Sequence, residues 1–170
     1  IFIYDPSNDS NRPVRGVHRN VIRRWPAFPQ LLRDAFIKQF GKATLDKPNA
    51  RMQEREWKKI IRDLRDMLVI CPKCKRETFV EDPANAKCMN CDANFKVDGI
   101  LKIDKRNILL TPKTRVYLDM DNKPDVNVVE VPGDRYPVQL QNTTTEKWMV
   151  ETPSGKLKPI DPNGFMPVKA

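Results

Sequence analysis

The sequence has no long apolar run. Its longest uninterrupted one, Met67-Leu68-Val69-Ile70-Cys71, is five residues, against roughly 20 for a helix that spans a bilayer. A transmembrane helix is excluded, and no basic-then-apolar signal opens the sequence, so a cytoplasmic protein is expected. No Met opens it either, and Ile1-Phe2-Ile3-Tyr4 reads as the interior of a longer chain. Glycine is scarce, 6 residues against 15 prolines. A Gly-rich phosphate loop is missing; Pro153-Ser154-Gly155-Lys156 reads as a turn, because the earlier glycine of a P-loop is not there. The one histidine, His18, is expected on the surface. Asp119, Asp121 and Asp125 have partial calcium-loop character but lack its Gly and terminal Glu, so they read as a solvated turn.

What is present is charge and enough apolar content for a core, 31% and 39% of 170 residues, which argues against wholesale disorder and for one or two domains. The net charge of +9 is uneven: residues 1–66 carry +7, residues 67–98 are neutral and residues 99–170 carry +2. A basic balance attracts nucleic acid, acidic lipid or acidic protein without choosing among them. Eight of the 15 prolines follow residue 98, which suits short strands and tight connections better than helices.

The first third is expected to be helical. Leu31, Leu32, Ala35, Phe36 and Phe40 share one helix face, with Gly41 as a stop. Trp57, Ile60, Ile61, Leu64 and Leu68 form the apolar stripe of a helix over Met52 to Leu68, with Arg55, Lys58, Lys59, Arg62 and Arg65 on its other faces. A shorter pattern, Val17, Val21, Ile22 and Trp25, is halted by Pro26.

All four cysteines fall in two C-x-x-C pairs, Cys71-Pro72-Lys73-Cys74 and Cys88-Met89-Asn90-Cys91, with 13 residues between them. Two intervening residues let both thiolates of a tight turn face one ion, and two such turns complete a tetrahedral shell of four sulfurs. A single structural Zn2+ held by Cys71, Cys74, Cys88 and Cys91 is expected, although the same geometry also suits a rubredoxin-type iron. Four ligands leave no open position for catalysis. Disulfides are disfavoured without a secretory signal, and a thioredoxin-like pair would not need the second C-x-x-C. Phe79 and Phe95 follow the two pairs at similar offsets, as in two hairpins packed over a metal.

From Gly99 on, short alternating runs are expected as strands: 100–103, 107–110, 115–118, 126–131, 137–140, 147–150, 156–160 and 165–168. They read as a small all-β barrel or sandwich. Leu110 to Tyr117 and Leu140 to Trp148 look like two copies of one unit.

The loop Leu45-Asp46-Lys47-Pro48-Asn49-Ala50-Arg51, running into the helix around Trp57, resembles the closing motif of the protein-kinase C-lobe, an Asp-Pro-x-x-Arg-type loop before a final helix. Lys47 interrupts the Asp-Pro dipeptide here, and Met52-Gln53 replaces the usual Ser/Thr cap. In kinases that arginine pairs with the glutamate of the Ala-Pro-Glu motif, and Arg51 is the matching position. Ile3-Tyr4-Asp5-Pro6-Ser7-Asn8, Asn11-Arg12-Pro13-Val14, Trp25, and Glu56-Trp57 running into Leu64-Arg65-Asp66 and Cys71 together resemble one bacterial group. These are Ser/Thr kinases encoded beside a von Willebrand factor A protein and a metal-dependent protein phosphatase, often in tellurite-resistance clusters. The resemblance implies an α+β chain: the end of a kinase C-lobe at 1–66, a zinc-ribbon-like four-cysteine module at 67–98 and a β-rich interaction domain at 99–170.

That reading makes the chain non-catalytic, since it has no Val-Ala-Ile-Lys, Asp-Phe-Gly or Ala-Pro-Glu. His18-Arg19-Asn20 only mimics a catalytic loop, with Asn20 where the base must be Asp. The resemblance implies the von Willebrand factor A protein as partner, and the phosphatase as a possible second one. Von Willebrand factor A domains commonly bind a ligand carboxylate through a metal ion, so Asp119, Asp121, Asp125 and Asp134 are candidate docking donors. The alternative is a nucleic-acid-binding zinc ribbon with a small β-barrel, motivated by net charge and by Lys73, Lys75 and Arg76. Against it, residues 67–98 are neutral and four thiolates with Zn2+ add a formal −2. A phosphothreonine pocket around Leu140-Gln141-Asn142-Thr143-Thr144 and Trp148 would need a Ser-x-x-His arrangement that the sequence lacks.

Overall fold

The computed structural model describes residues 2–119, 123–152 and 154–168. The chain is α+β and divides into two compact units, residues 1–65 and 66–170. The first unit is helical: α1 (Arg19–Arg24), α2 (Gln30–Phe40), α3 (Lys42–Leu45) and α4 (Glu54–Asp66), with 3-10 turns at Trp25–Ala27 and Pro48–Ala50. Pro26 has no N–H to continue the ladder of α1, so the chain tightens into the first of these turns.

Gly41 ends α2 as expected, in an extended conformation rather than a left-handed one (φ −70°, ψ 161°). Its lack of a side chain matters sterically, because a Cβ there would lie 2.5 Å from the Ile37 carbonyl oxygen. α4 starts without a Ser/Thr cap. Instead Glu56 accepts the Gln53 N–H at 2.8 Å, one half of a capping box. Its exposed face carries the i,i+4 pairs Glu54–Lys58 and Lys59–Asp63. The expected stripe is shorter than its pattern: Leu64 is buried, Ile61 is 47% exposed, and Leu68 has left the helix for a strand.

Aromatic rings hold this unit together. Tyr4 stacks on Trp25 with centroids 4.3 Å apart, and Phe2, Phe36, Phe40 and Trp57 extend the cluster edge-on or tilted. Asp5 is buried at its margin. Its carboxylate accepts the Ser7 N–H and O–H and the N–H of Lys42, the first residue of α3.

The second unit begins with the hairpin β1 (Leu68–Ile70) and β2 (Glu77–Phe79), continues through β3 (Gly99–Ile103) and β4 (Arg106–Leu110), and adds β5 (Arg115–Val116), β6 (Val126–Glu130), β7 (Val138–Asn142), β8 (Trp148–Glu151), β9 (Leu157–Ile160) and β10 (Phe165–Pro167). All eight runs read as strands after residue 98 carry one. Among the described residues they do not close into a barrel. They form one antiparallel sheet in the order β10-β7-β6-β5 and the separate hairpins β3-β4 and β8-β9. Closure fails because β5, two residues long, bonds only β6, and β10 bonds only β7, leaving both edges open. The two copies suggested by 110–117 and 140–148 hold different places, since β4 pairs with β3 alone whereas β7 lies between β6 and β10.

Two small cores fill the unit. One joins Ile108 and Leu110 of β4 to Val116, Val126, Val128, Val138 and Leu140. The other joins Val69, Val80, Ala86 and Val97 of the cysteine segment to Leu109 of β4, with Phe95 packed on it. Adjacent residues of β4 thus face different cores, which places the cysteine segment and the later strands in one unit. A buried ion pair adds to this. Arg106 grips Asp66 through Nε and Nη2 at 2.8 and 2.7 Å and also donates to the Leu118 and Tyr117 carbonyls.

Candidate metal centre

Each C-x-x-C pair folds into the same turn. In the first, the Cys71 N–H donates to the Arg76 carbonyl and the Lys75 N–H to the Cys71 carbonyl, both at 2.9 Å. In the second, Cys88 N–H donates to Ala93 and Asp92 N–H to Cys88 at 2.9 and 3.0 Å. Lys75 and Asp92, each four residues after the leading cysteine, both adopt left-handed backbone, φ 59° and 57°. Glycine is the usual solution at such a position. Its absence at both turns hid their shape from the sequence.

The two turns face each other so that the four Sγ atoms all lie within 4.8 Å of one another. Cys71 Sγ is 3.9 Å from Cys91 Sγ, and Cys74 Sγ is 3.6 Å from Cys88 Sγ. Four sulfurs at about 2.3 Å from one tetrahedral ion would be about 3.8 Å apart, so the cluster already has the size of a tetrathiolate shell. Cys71 and Cys88 are buried and Cys74 and Cys91 half-buried.

Backbone N–H groups favour thiolate at Cys88. The Asn90 N–H points at its Sγ at 3.3 Å. Burial opposes ionisation of Cys88, but the Asn90 and Cys91 N–H groups and the thiols of Cys71 and Cys74 draw its pKa down to about 6. Cys74 goes the other way, to about 11: the Arg76 N–H favours its thiolate, and burial together with the thiols of Cys88, Cys91 and Cys71 outweighs it. Four sulfurs this close cannot all ionise without a cation among them. The donor set therefore fits a thiophilic ion, zinc or iron, bound through all four sulfurs.

Hydrogen bonds outside the cysteines hold the turns in place, and no motif announced them. Buried Thr78 of β2 accepts the Met89 N–H at 3.0 Å, and Asn90 Nδ2 donates to the Glu77 carbonyl at 2.8 Å, so β2 carries the second turn. Thr111, also buried, bonds both the N–H and the carbonyl of Ile70, the residue before Cys71. Of the two phenylalanines expected near the metal, Phe95 packs on the core beneath it and Phe79 is the end of β2, opposite Leu68.

The other candidates are scattered. Arg51 is exposed and its guanidinium donates to the Leu45 carbonyl at 3.0 Å. Asp125 is half-buried and accepts the Leu118 N–H at 2.7 Å. Asp134 accepts from the Tyr136 N–H and Gln139 Nε2. These two carboxylates build turns at opposite ends of β6, a strand about 17 Å long, so they do not form one site. Asp119 is exposed, and Asp121 lies outside the described residues. Thr143 and Thr144 also serve turns, donating to the Pro124 carbonyl and Asn142 Oδ1.

Among the described residues no helix is long and apolar enough to cross a membrane. No family model matches the chain, and no curated protein or solved structure matches it either.

Proposed function

We propose that Cys71, Cys74, Cys88 and Cys91 hold one structural zinc ion, and that the chain is a non-catalytic docking region of a bacterial Ser/Thr protein kinase. The observation that carries the metal reading is the convergence of the four Sγ atoms within 4.8 Å on two like turns. When bound, the ion supplies cross-linking, with no open position for chemistry. Thr78, Asn90 and Thr111 keep the turns oriented, and the core under Phe95 joins the loaded segment to β4.

In this reading the helices of residues 1–66 are the end of a kinase C-lobe, the cysteine segment is a zinc-ribbon-like joint, and the β-rich part meets the partner. The support is the resemblance of the Asp5-Pro6, Leu45–Arg51 and Glu56-Trp57 stretches together with the metal cluster that follows them. The partner is a von Willebrand factor A protein, with a metal-dependent phosphatase as a second member, in a cytoplasmic phosphorylation system linked to tellurite resistance. Asp119 and Asp134 are both exposed; Asp134 is committed to its turn through Tyr136 and Gln139, so Asp119 is the first carboxylate to test against that partner's metal ion.

The metal is tested by elemental analysis of purified protein and by cobalt substitution. One zinc per chain, and visible bands of a tetrahedral cobalt tetrathiolate lost in Cys88→Ser, are expected. Iron in place of zinc overturns the choice of ion. Docking is tested by pull-down with the von Willebrand factor A protein at physiological salt, with and without Mg2+. Retention that needs Mg2+ and falls in Asp119→Ala is expected, and no retention in either condition overturns the docking reading. Salt-steep binding to DNA would favour a nucleic-acid function instead.

A further inference from the structure

One face of the β10-β7-β6-β5 sheet packs the core of Val116, Val126, Val128, Val138 and Leu140; on the other face Arg115 and Phe165 are exposed and Asn127 and Gln141 half-buried. The pairing register sets these four side chains in one row across all four strands. Phe165 lies opposite Gln141, Gln141 opposite Asn127, and Asn127 opposite Arg115. Strands lie about 4.8 Å apart, so the row runs about 14 Å from ring to guanidinium. Phe165 is 50% exposed. Among the described residues the Gln141 and Asn127 amides have no side-chain hydrogen bond, and Arg115 has neither a hydrogen bond nor an ion pair. Lys113, exposed on the same edge and bonded through its backbone to Val128, adds a second cation without a carboxylate partner.

We propose that this row binds an extended acidic peptide lying across the strands. Arg115, with Lys113 beside it, takes a Glu or Asp side chain through its fork of donors. Each primary amide offers a donor and an acceptor in one plane, the complement of a peptide N–H and C=O, so Asn127 and Gln141 hold main chain. Phe165 packs an apolar side chain at the far end. An extended chain advances about 3.4 Å per residue, so the row spans four residues and asks for an acidic position followed four places later by an apolar one.

The choice of a peptide over a nucleic acid follows from charge. The row carries one cation and its edge one more, enough for a carboxylate but short of the basic track that a phosphate backbone requires. The proposal stands on the sheet alone and is independent of the kinase and metal readings.

The test uses the full chain, metal-loaded, with fluorescent twelve-residue peptides carrying one Glu and one Leu four positions apart. Controls have the Glu replaced by Gln or the spacing cut to two, and a twelve-nucleotide oligo-dT is the rival probe. Anisotropy is expected to show saturable binding of the acidic peptide, weakened about tenfold in Arg115→Ala and by a similar factor in Phe165→Ala. Backbone amide shifts should move at 115, 127, 141 and 165, and the cysteine turns should stay still. Equal binding of the Gln control, shifts confined elsewhere, tighter binding of oligo-dT, or no binding of any peptide overturns the proposal. Asn127→Ala, which leaves both ends of the row intact, should weaken binding as well, and an unchanged thermal melt of each variant shows that the loss is of contact and not of folding; undiminished binding in Asn127→Ala also overturns the proposal.

Discussion

At the scale of single residues, this chain settles polar groups by burying them against backbone. Asn142, wholly buried, donates to the Glu146, Ile160 and Asp161 carbonyls and accepts from Thr144, so one amide organises both the turn after β7 and the end of β9. Asp5 does the same for the first unit. The Ser7 hydroxyl, then the Lys42 and Ser7 N–H groups, hold its pKa below the ordinary 3.8 against the opposing effect of burial. A carboxylate with a lowered folded pKa contributes stability in full above its ordinary value and loses it as pH falls through the lowered one. Asp5→Asn should therefore weaken the first unit at pH 7 and flatten its stability profile below about pH 4. Urea melts followed by the fluorescence of Trp25 and Trp57, in a Trp148→Phe background, read this directly. An unchanged acid slope would assign that limb to other carboxylates.

Elements were legible where periodicity was strong. The stripe from Leu31 to Phe40 gave α2, and the alternating runs after Gly99 gave all eight strands, because an apolar residue in every second place has only one way to face a core. The cysteine spacing foretold the four-sulfur cluster, a donor set that could hold a metal ion. What could not be read was closure and pairing. Nothing in Arg115-Val116 shows that β5 stops after two residues, and the periodicity of α4 runs on through Leu68 although β1 takes that residue. Partners distant in sequence were equally hidden, as with Thr111 and Ile70 or Asp66 and Arg106. The last pair is the element-scale prediction. Asp66 and Arg106 are 7% and 11% exposed, and removing one partner of a buried pair strands the other charge. Arg106→Ala should cost about 3–5 kcal/mol of second-unit stability, whereas replacing both by apolar residues should recover much of it. Thermal melts of the single and double variants decide between a structural pair and a dispensable one.

For the whole molecule, the division of labour is uneven. The first unit owes its order to aromatic rings and one buried carboxylate; the second has two cores, one of them lying under the cysteine turns. Each core is small, and structural zinc in comparable modules contributes apparent folding free energy on the order of 10–16 kcal/mol. Chelation should therefore raise amide exchange from Leu68 to Val97 and in β4, and leave α2 unchanged. If the cluster holds the proposed zinc, lowering the pH should release it and raise exchange in the same segments, because every ligand sulfur must stay deprotonated to hold it. Protection in β1 and β2 that survives chelation would mean the segment folds without metal.

The clasp between Asp66 and Arg106 gives the cysteine segment a polymer arithmetic of its own. It joins residues 40 positions apart, and a metal held by the sulfur cluster would tie residues 20 apart inside that span. The two closures are nested loops, and fastening the inner one roughly halves the free length of the outer. Halving a flexible loop is worth only about 0.6 kcal/mol of closure entropy. If loading the metal strengthens the clasp by no more than that, the two communicate through chain length alone. Any larger coupling must pass through the packed contacts of Val69, Val80 and Leu109, and a cycle of Arg106→Ala with and without metal measures which.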